Sequence, residues 1–245
     1  MTKTAVTSYS FQSIQGFSKI LLGLLATGIM LSVVSIPFGL IARAILIRIS
    51  EAQNAGADSA VFDAITADAD QSDLHQMIIG FTQVAVGILT VIFFARWIYV
   101  ASRNCHAVSG KTLPFSPGWS VGWYFVPIAN LWKPYQAMRQ TWNVSADTTD
   151  DPERPAPGLL LVWWLFFLVS SAIERAAFRQ ALRADEVSEF LTSNTLIILS
   201  DAANILATIV AFIVVKKIAD LQAANFAGQN KLPPEPLRAQ PASLI

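Results

Sequence analysis

Charge is scarce in this chain. Only 14% of its 245 residues are charged, while 53% are hydrophobic and the mean hydropathy is +0.48. An ordinary soluble domain carries about 25% charged residues, so the deficit points to a membrane protein before any segment is inspected. Seventeen basic residues balance seventeen acidic ones. There is no overall basic field, and nucleic acid is not an expected partner. Cys105 is the single cysteine, which excludes an intramolecular disulfide and a cysteine-based metal cluster, and a buried or interfacial free thiol is expected. Histidine is almost as scarce, with only His75 and His106. They fall near opposite membrane faces in the topology below and cannot share a metal. No His-Glu-x-x-His, paired-aspartate or Ser-His-Asp pattern occurs. No catalytic residue, metal site or cofactor is therefore expected. Ser109-Gly110-Lys111-Thr112 looks like the end of a phosphate-binding loop, but Cys105 stands where that loop needs glycine, and a spanning helix precedes it rather than a strand.

Four long apolar runs occupy much of the chain: residues 17–47, 77–100, 159–178 and 195–215. Crossing about 30 Å of hydrocarbon takes roughly 20 helical residues, and a spanning segment has to satisfy its own backbone hydrogen bonds. The expected fold is all-α, a polytopic membrane protein with four transmembrane helices in a single membrane domain over residues 1–245. Ala42-Arg43-Ala44 mimics a signal-peptide cleavage site. The apolar stretch before it is about twice the usual length for a signal peptide, so an uncleaved anchor is expected. Residues 51–73 hold six acidic residues with much alanine and serine. They read as a polar loop with a short helix around 59–67. The tail from about 228 to 245 reads as disordered.

Lysine and arginine set the orientation. Lys3, Lys19, Arg96, Arg103, Lys111, Lys133, Arg139, Arg154, Lys216, Lys217, Lys231 and Arg238 fall on one side, whereas Arg43, Arg48, Arg175, Arg179 and Arg183 fall on the other. The positive-inside rule places both termini and the central loop, residues 101–158, in the cytoplasm.

That loop carries the most distinctive run of the chain. Residues 116–142 contain four of the seven tryptophans, several prolines and no acidic residue. Tryptophan and tyrosine concentrate at membrane–water boundaries, where ring and polar tip are both satisfied. The dozen apolar residues after Ser116 match a re-entrant or interfacial segment better than a span, and Pro127 interrupts any helix there. A helix restarts with Asn130 as its expected N-cap and Pro134 in its first turn. Its residues Leu131, Trp132, Tyr135, Met138 and Trp142 share one arc, and Lys133, Gln136, Gln140 and Asn143 lie opposite. Arg139 sits at the edge of the apolar arc, its stem placed to stay buried and its head to reach phosphates. Two arrangements bury that arc: a helix lying on the inner leaflet, or one packed on the four-helix core.

The string GWSVGWYFVPIANLWKPYQAMRQTW resembles the signature of the bacterial membrane-protein family called "domain of unknown function 4328". Trp119, Trp123, Pro127, Asn130, Lys133, Pro134 and Tyr135 carry the likeness. The resemblance implies paired hydrophobic spans on either side of a tryptophan-rich segment, and it implies no activity.

Asp201 lies inside the fourth run, with Asn204 and Thr208 following on one helical face. A carboxylate at such depth is costly and normally points toward a partner within the bundle. Arg43, Arg48, Arg175 and Arg179 are the candidates, and Glu174 with Arg175 extends the network. Either an ion pair fixing helix register or a proton or substrate relay follows from such a set. Ala203, Ala207 and Ala211 allow close helix approach, and Pro37 is expected to kink the first run.

The leading expectation is a non-enzymatic, multi-pass protein of a bacterial inner (plasma) membrane. Its tryptophan-rich loop binds the lipid bilayer surface, with a membrane-protein partner or a second copy of the chain as further candidates. A small transporter or channel subunit built on Asp201 is the alternative.

Overall fold

The computed structural model describes residues 9–109, 112–147 and 151–226. The elements in chain order are α1 (Gln15–Ala55), α2 (Ser59–Val108), α3 (Pro117–Gly122), two 3-10 turns (Trp123–Phe125 and Ala129–Leu131), α4 (Lys133–Ala146), α5 (Gly158–Ala181) and α6 (Val187–Phe226), and the described residues include no strand. α1, α2, α5 and α6 are each long and apolar enough to cross a membrane. Each contains one of the four apolar runs, so the all-α, four-span expectation holds. The expected disordered tail lies outside the described residues; α2 ends at Val108, with Ser109 as its C-cap.

Residues 51–73 differ from expectation. They form not a polar loop with a short helix but the ends of two long helices around a three-residue turn. Alanines at 52, 55, 60, 64, 67 and 69 favour helix throughout. Gly56 stops α1 in the left-handed region (φ 61°), and the Asp58 carboxylate accepts from the Val61 N–H at 3.1 Å to start α2. Ile45, Ala52 and Ile65 form a small core between the helices, beside an Arg48–Asp68 ion pair at 2.7 Å. At 1.5 Å per residue, α1 with 41 residues and α2 with 50 are roughly 60 and 75 Å long. These are about two and two and a half times the hydrocarbon thickness, so each helix is longer than a span requires and the hairpin is expected to project beyond one.

α1 packs along α2 and α6, and α6 along α1 and α5, giving the spatial order α2–α1–α6–α5. The α1–α6 approach is close at Gly39. Asn194 Nδ2 donates to the Gly39 carbonyl at 3.1 Å, and a Cβ on Gly39 would sit 2.9 Å from Ile198 Cγ1. The most apolar eighteen-residue stretch of α2 has no buried residue. Its side chains are uncovered by the rest of the chain, and in lipid apolar burial alone would not drive helices together there.

The main core sits at one end. Leu21 and Leu25 of α1, Trp97 and Ala101 of α2, Met138 and Trp142 of α4, Trp163 and Trp164 of α5, and Val215 and Ile218 of α6 form one buried cluster. This is the end from which the tryptophan-rich segment departs and to which it returns.

Candidate functional site

Proline and glycine break residues 113–132 into single turns. Ser116 caps α3 by accepting from the Trp119 N–H at 3.4 Å, with Pro117 in the first turn. Gly122 ends α3 where a Cβ would meet the Trp119 ring at 3.1 Å, so the missing side chain lets that indole lie against the backbone. Val126 is extended (φ −94°, ψ 109°), as the residue before a proline usually is, and this separates the two 3-10 turns. The helix then restarts later than expected. Trp132 is the N-cap of α4, no side chain caps it, and Pro134 occupies the first turn, where its missing N–H has no intrahelical partner to lose. Asn130 is therefore not the cap. It lies in the second 3-10 turn, its N–H bonded to the Val126 carbonyl at 2.7 Å, and its buried Oδ1 has no partner.

α4 packs into the bundle rather than lying free on a surface. Met138 and Trp142 are buried in the main core. Two residues of the polar side, Gln140 and Asn143, are also buried, because their amides bind protein backbone, while Lys133 and Gln136 are half-buried. Gln140 spans the Phe115 backbone, accepting from its N–H at 2.8 Å and donating to its carbonyl at 2.9 Å. Asn143 donates to the carbonyls of Pro152 and Arg154. A polar network missing from the sequence-based expectations locks the same end. Gln222 Nε2 donates to the Ala101 carbonyl and to Ser145 Oγ, each at 3.0 Å. Its Oε1 accepts from Asn104 Nδ2 at 3.0 Å, and Asn104 also grips the Gln12 backbone through both its N–H and its carbonyl. Cys105 lies beside this network, fully buried. The signal was present. Gln222 falls on the apolar stripe of Val215, Ile218 and Phe226, so an amide there has to be buried and bonded.

Two further ties fix the tryptophan-rich segment. Trp164 Nε1 donates to the Leu131 carbonyl at 2.9 Å, and Ser102 and Ser120 hydroxyls meet at 3.1 Å. Tyr124 packs edge-on against Phe94, Trp164 and Phe167, and burial pushes its phenol well above the ordinary range. The segment so held still leaves a set of large apolar side chains uncovered, a discontinuous row along the chain: Trp119, Phe125, Ile128, Leu131 and Trp132 are exposed, Phe125 and Ile128 at more than 70%.

Beside this row opens a cavity of about 640 Å³, lined by Phe115, Trp119, Trp123, Lys133, Gln136, Arg139 and Glu153 among others. Trp119 and Trp123 are 4.5 Å apart between ring centroids. The Lys133 ammonium lies 5.4 Å over the Phe115 ring and 5.8 Å over that of Trp123. Pro127 and Pro134 shape the backbone, while Tyr135 packs against the main core.

The model of the family described as "Domain of unknown function (DUF4328)" matches residues 63–220. The chain belongs to that family. The match runs from the first turns of α2 to the last turns of α6, so the DUF4328 unit includes the whole tryptophan-rich segment, while all of α1 precedes it. No curated protein and no solved structure matches the chain.

The second group of candidate residues is brought together only in part. Asp201 Oδ1 accepts from Gln83 Nε2 of α2 at 3.1 Å, and Ser32 and Ser35 of α1 lie beside the carboxyl. Asn204 donates to Ser32 Oγ at 3.4 Å and accepts from Thr208 at 3.2 Å. The arginines are elsewhere. Arg43 donates to Thr195 Oγ1 and to the Leu191 carbonyl, Arg48 pairs with Asp68, and Glu174 and Arg175 are exposed on α5. Asp201 thus draws three helices together through neutral partners. Among the described residues no group of histidine, cysteine and carboxylates has the arrangement of a metal site.

Proposed function

We propose that this DUF4328 protein is a non-enzymatic, multi-pass protein of a bacterial inner membrane whose tryptophan-rich segment is a rigid lipid-surface platform. The exposed row of Trp119, Phe125, Ile128, Leu131 and Trp132 on a segment stapled to the bundle carries this reading. Five large apolar side chains left exposed on one short segment, two of them tryptophans, fit the headgroup–acyl boundary better than water. The positive-inside distribution supports a cytoplasmic placement of this end, with both termini on the same side. The occupant of the platform is lipid or a membrane-protein partner that meets it in the plane of the bilayer.

The test replaces Trp119, Phe125, Ile128 and Trp132 by serine together. Thermal unfolding should stay close to that of the parent, because none of the four is buried, while quenching of tryptophan emission by lipids brominated near the headgroup falls sharply. Unchanged quenching of the remaining tryptophans alone would not count; the decisive comparison is the loss attributable to the four positions, and no loss overturns the proposal.

The Asp201 cluster supports a second reading, a small transporter or channel subunit. The observation in its favour is a carboxylate held by Gln83 and flanked by serines with no arginine bonded to it, an arrangement that leaves the carboxyl free to exchange a proton or meet a cation.

A further inference from the structure

We propose that the cavity beside the platform is a binding site for a phosphate-bearing anion, with a lipid headgroup as the preferred source. The donors alone define the ligand's chemistry. Lys133, Gln136 and Arg139 follow one another at three-residue spacing along α4 and all line the cavity. Trp119 and Trp123 form the wall opposite, and Glu153 contributes the one carboxylate.

Two of the lining residues carry a buried N–H without a use. Arg139 Nε and Trp123 Nε1 each have no hydrogen-bond partner. Native proteins pair nearly all such groups, and a buried donor without a partner calls for an explanation. Two other buried indole N–H groups do find acceptors: Trp97 on Ser18 Oγ and Trp164 on the Leu131 carbonyl. Among the described residues, neither Lys133 nor Arg139 forms an ion pair, and Lys133 is held only by aromatic faces. Tryptophan, lysine and arginine side chains can only donate, so the group that completes them has to be an acceptor, and two cations against one carboxylate make it an anion. A phosphate offers several acceptor oxygens, and Arg is well suited to bind two of them at once. The uncapped start of α4 adds a positive helix end next to Lys133. A volume of about 640 Å³ falls within the usual range for small-ligand sites, and admits a phosphate with its glycerol attachment.

The source follows from position. Trp119 belongs both to the cavity wall and to the exposed apolar row. A ligand seated here therefore has an apolar surface immediately beside its anionic group, which is the arrangement of a phospholipid at the membrane boundary. The anion site stands on its own donors, and only the choice of lipid as source rests on the platform reading above.

The experiment uses the full chain in a neutral detergent, titrated by calorimetry with three probes: short-chain phosphatidic acid, the matching diacylglycerol without phosphate, and inorganic phosphate. Phosphatidic acid should bind one to one, and diacylglycerol at least tenfold more weakly. Arg139→Gln and Lys133→Gln should each weaken phosphatidic acid about tenfold or more, the scale of a charge-assisted hydrogen bond. Trp123→Phe, which keeps the ring and removes the donor, should weaken it severalfold, and Glu153→Gln should tighten it. Unfolding midpoints within the scatter of the parent establish that the variants fold. Inorganic phosphate binding as tightly as phosphatidic acid, with the same sensitivity to Arg139→Gln, supports the anion site and replaces the lipid by a free phosphate. Equal binding of diacylglycerol and phosphatidic acid, or phosphate binding indifferent to Arg139→Gln and Lys133→Gln, overturns the site while leaving the platform intact. No fall in headgroup-level quenching in the four-serine variant, with these phosphate results as expected, overturns the platform alone.

Discussion

Replacing Gln222 by leucine removes the centre of the network that holds α2, α4 and α6 to the N-terminal segment. The side chain makes three hydrogen bonds of 3.0 Å, to the Ala101 carbonyl, to Ser145 Oγ and from Asn104 Nδ2, and is fully buried. Each such bond contributes about 1 kcal/mol net. The partners are not stranded entirely: Asn104 Nδ2 keeps the Gln12 carbonyl and Ser145 Oγ keeps the Thr141 carbonyl. The expected loss is therefore about 3 kcal/mol, lessened slightly by the apolar area that leucine buries. Urea unfolding in detergent micelles, followed by tryptophan emission, measures it as a lowered midpoint at unchanged slope. A cycle with Ser145→Ala should return a coupling near 1 kcal/mol, since the two side chains share one bond. A Gln222→Leu protein within about 0.5 kcal/mol of the parent would refute the network as a source of rigidity. With it would go the physical basis for a fixed platform.

Gly39→Ala forces a Cβ to within 2.9 Å of Ile198 Cγ1. It should cost about 1–3 kcal/mol in the same assay, and Ile198→Val in the same chain should recover part of that. Asp201→Asn keeps an acceptor for Gln83 and should leave stability within about 1 kcal/mol. In proteoliposomes it should abolish any proton or cation flux carried by the parent, and a parent without flux rules out the transport reading.

Architecture was legible because length and apolarity are sufficient for it. A run that must satisfy its own backbone hydrogen bonds in lipid has few alternatives to helix, and all four runs are helical. The helix ends were less legible. Residues 51–73 carry acidic residues that look loop-like, yet alanine propensity, the Gly56 stop and the Asp58 cap extend α1 and α2 nearly to each other. The restart at Trp132 in place of Asn130 was set by Pro134, whose ring fixes the first turn. Side-chain burial in α4 was misread because amphipathicity assumes that polar residues face water. Gln140 and Asn143 face loop backbone instead, where carbonyl and N–H groups substitute for solvent. Likewise, charge complementarity directed Asp201 toward arginines, but Gln83 and two serines are its neighbours. Long-range partners of this kind depend on which helices adjoin, and one sequence does not state the order α2–α1–α6–α5.

The depth of Ile128 tests the platform most directly. A nitroxide is attached at Ile128→Cys in a chain whose buried Cys105 is replaced by serine, with Ile88→Cys in the exposed middle of α2 and Val61→Cys on the projecting hairpin as references. In liposomes, the ratio of collisions with oxygen to collisions with a water-soluble nickel chelate reports depth. A platform seated in the membrane boundary predicts a ratio for Ile128 between the two references and clearly above that of Val61. A ratio equal to that of Val61 places the segment in water and contradicts the account.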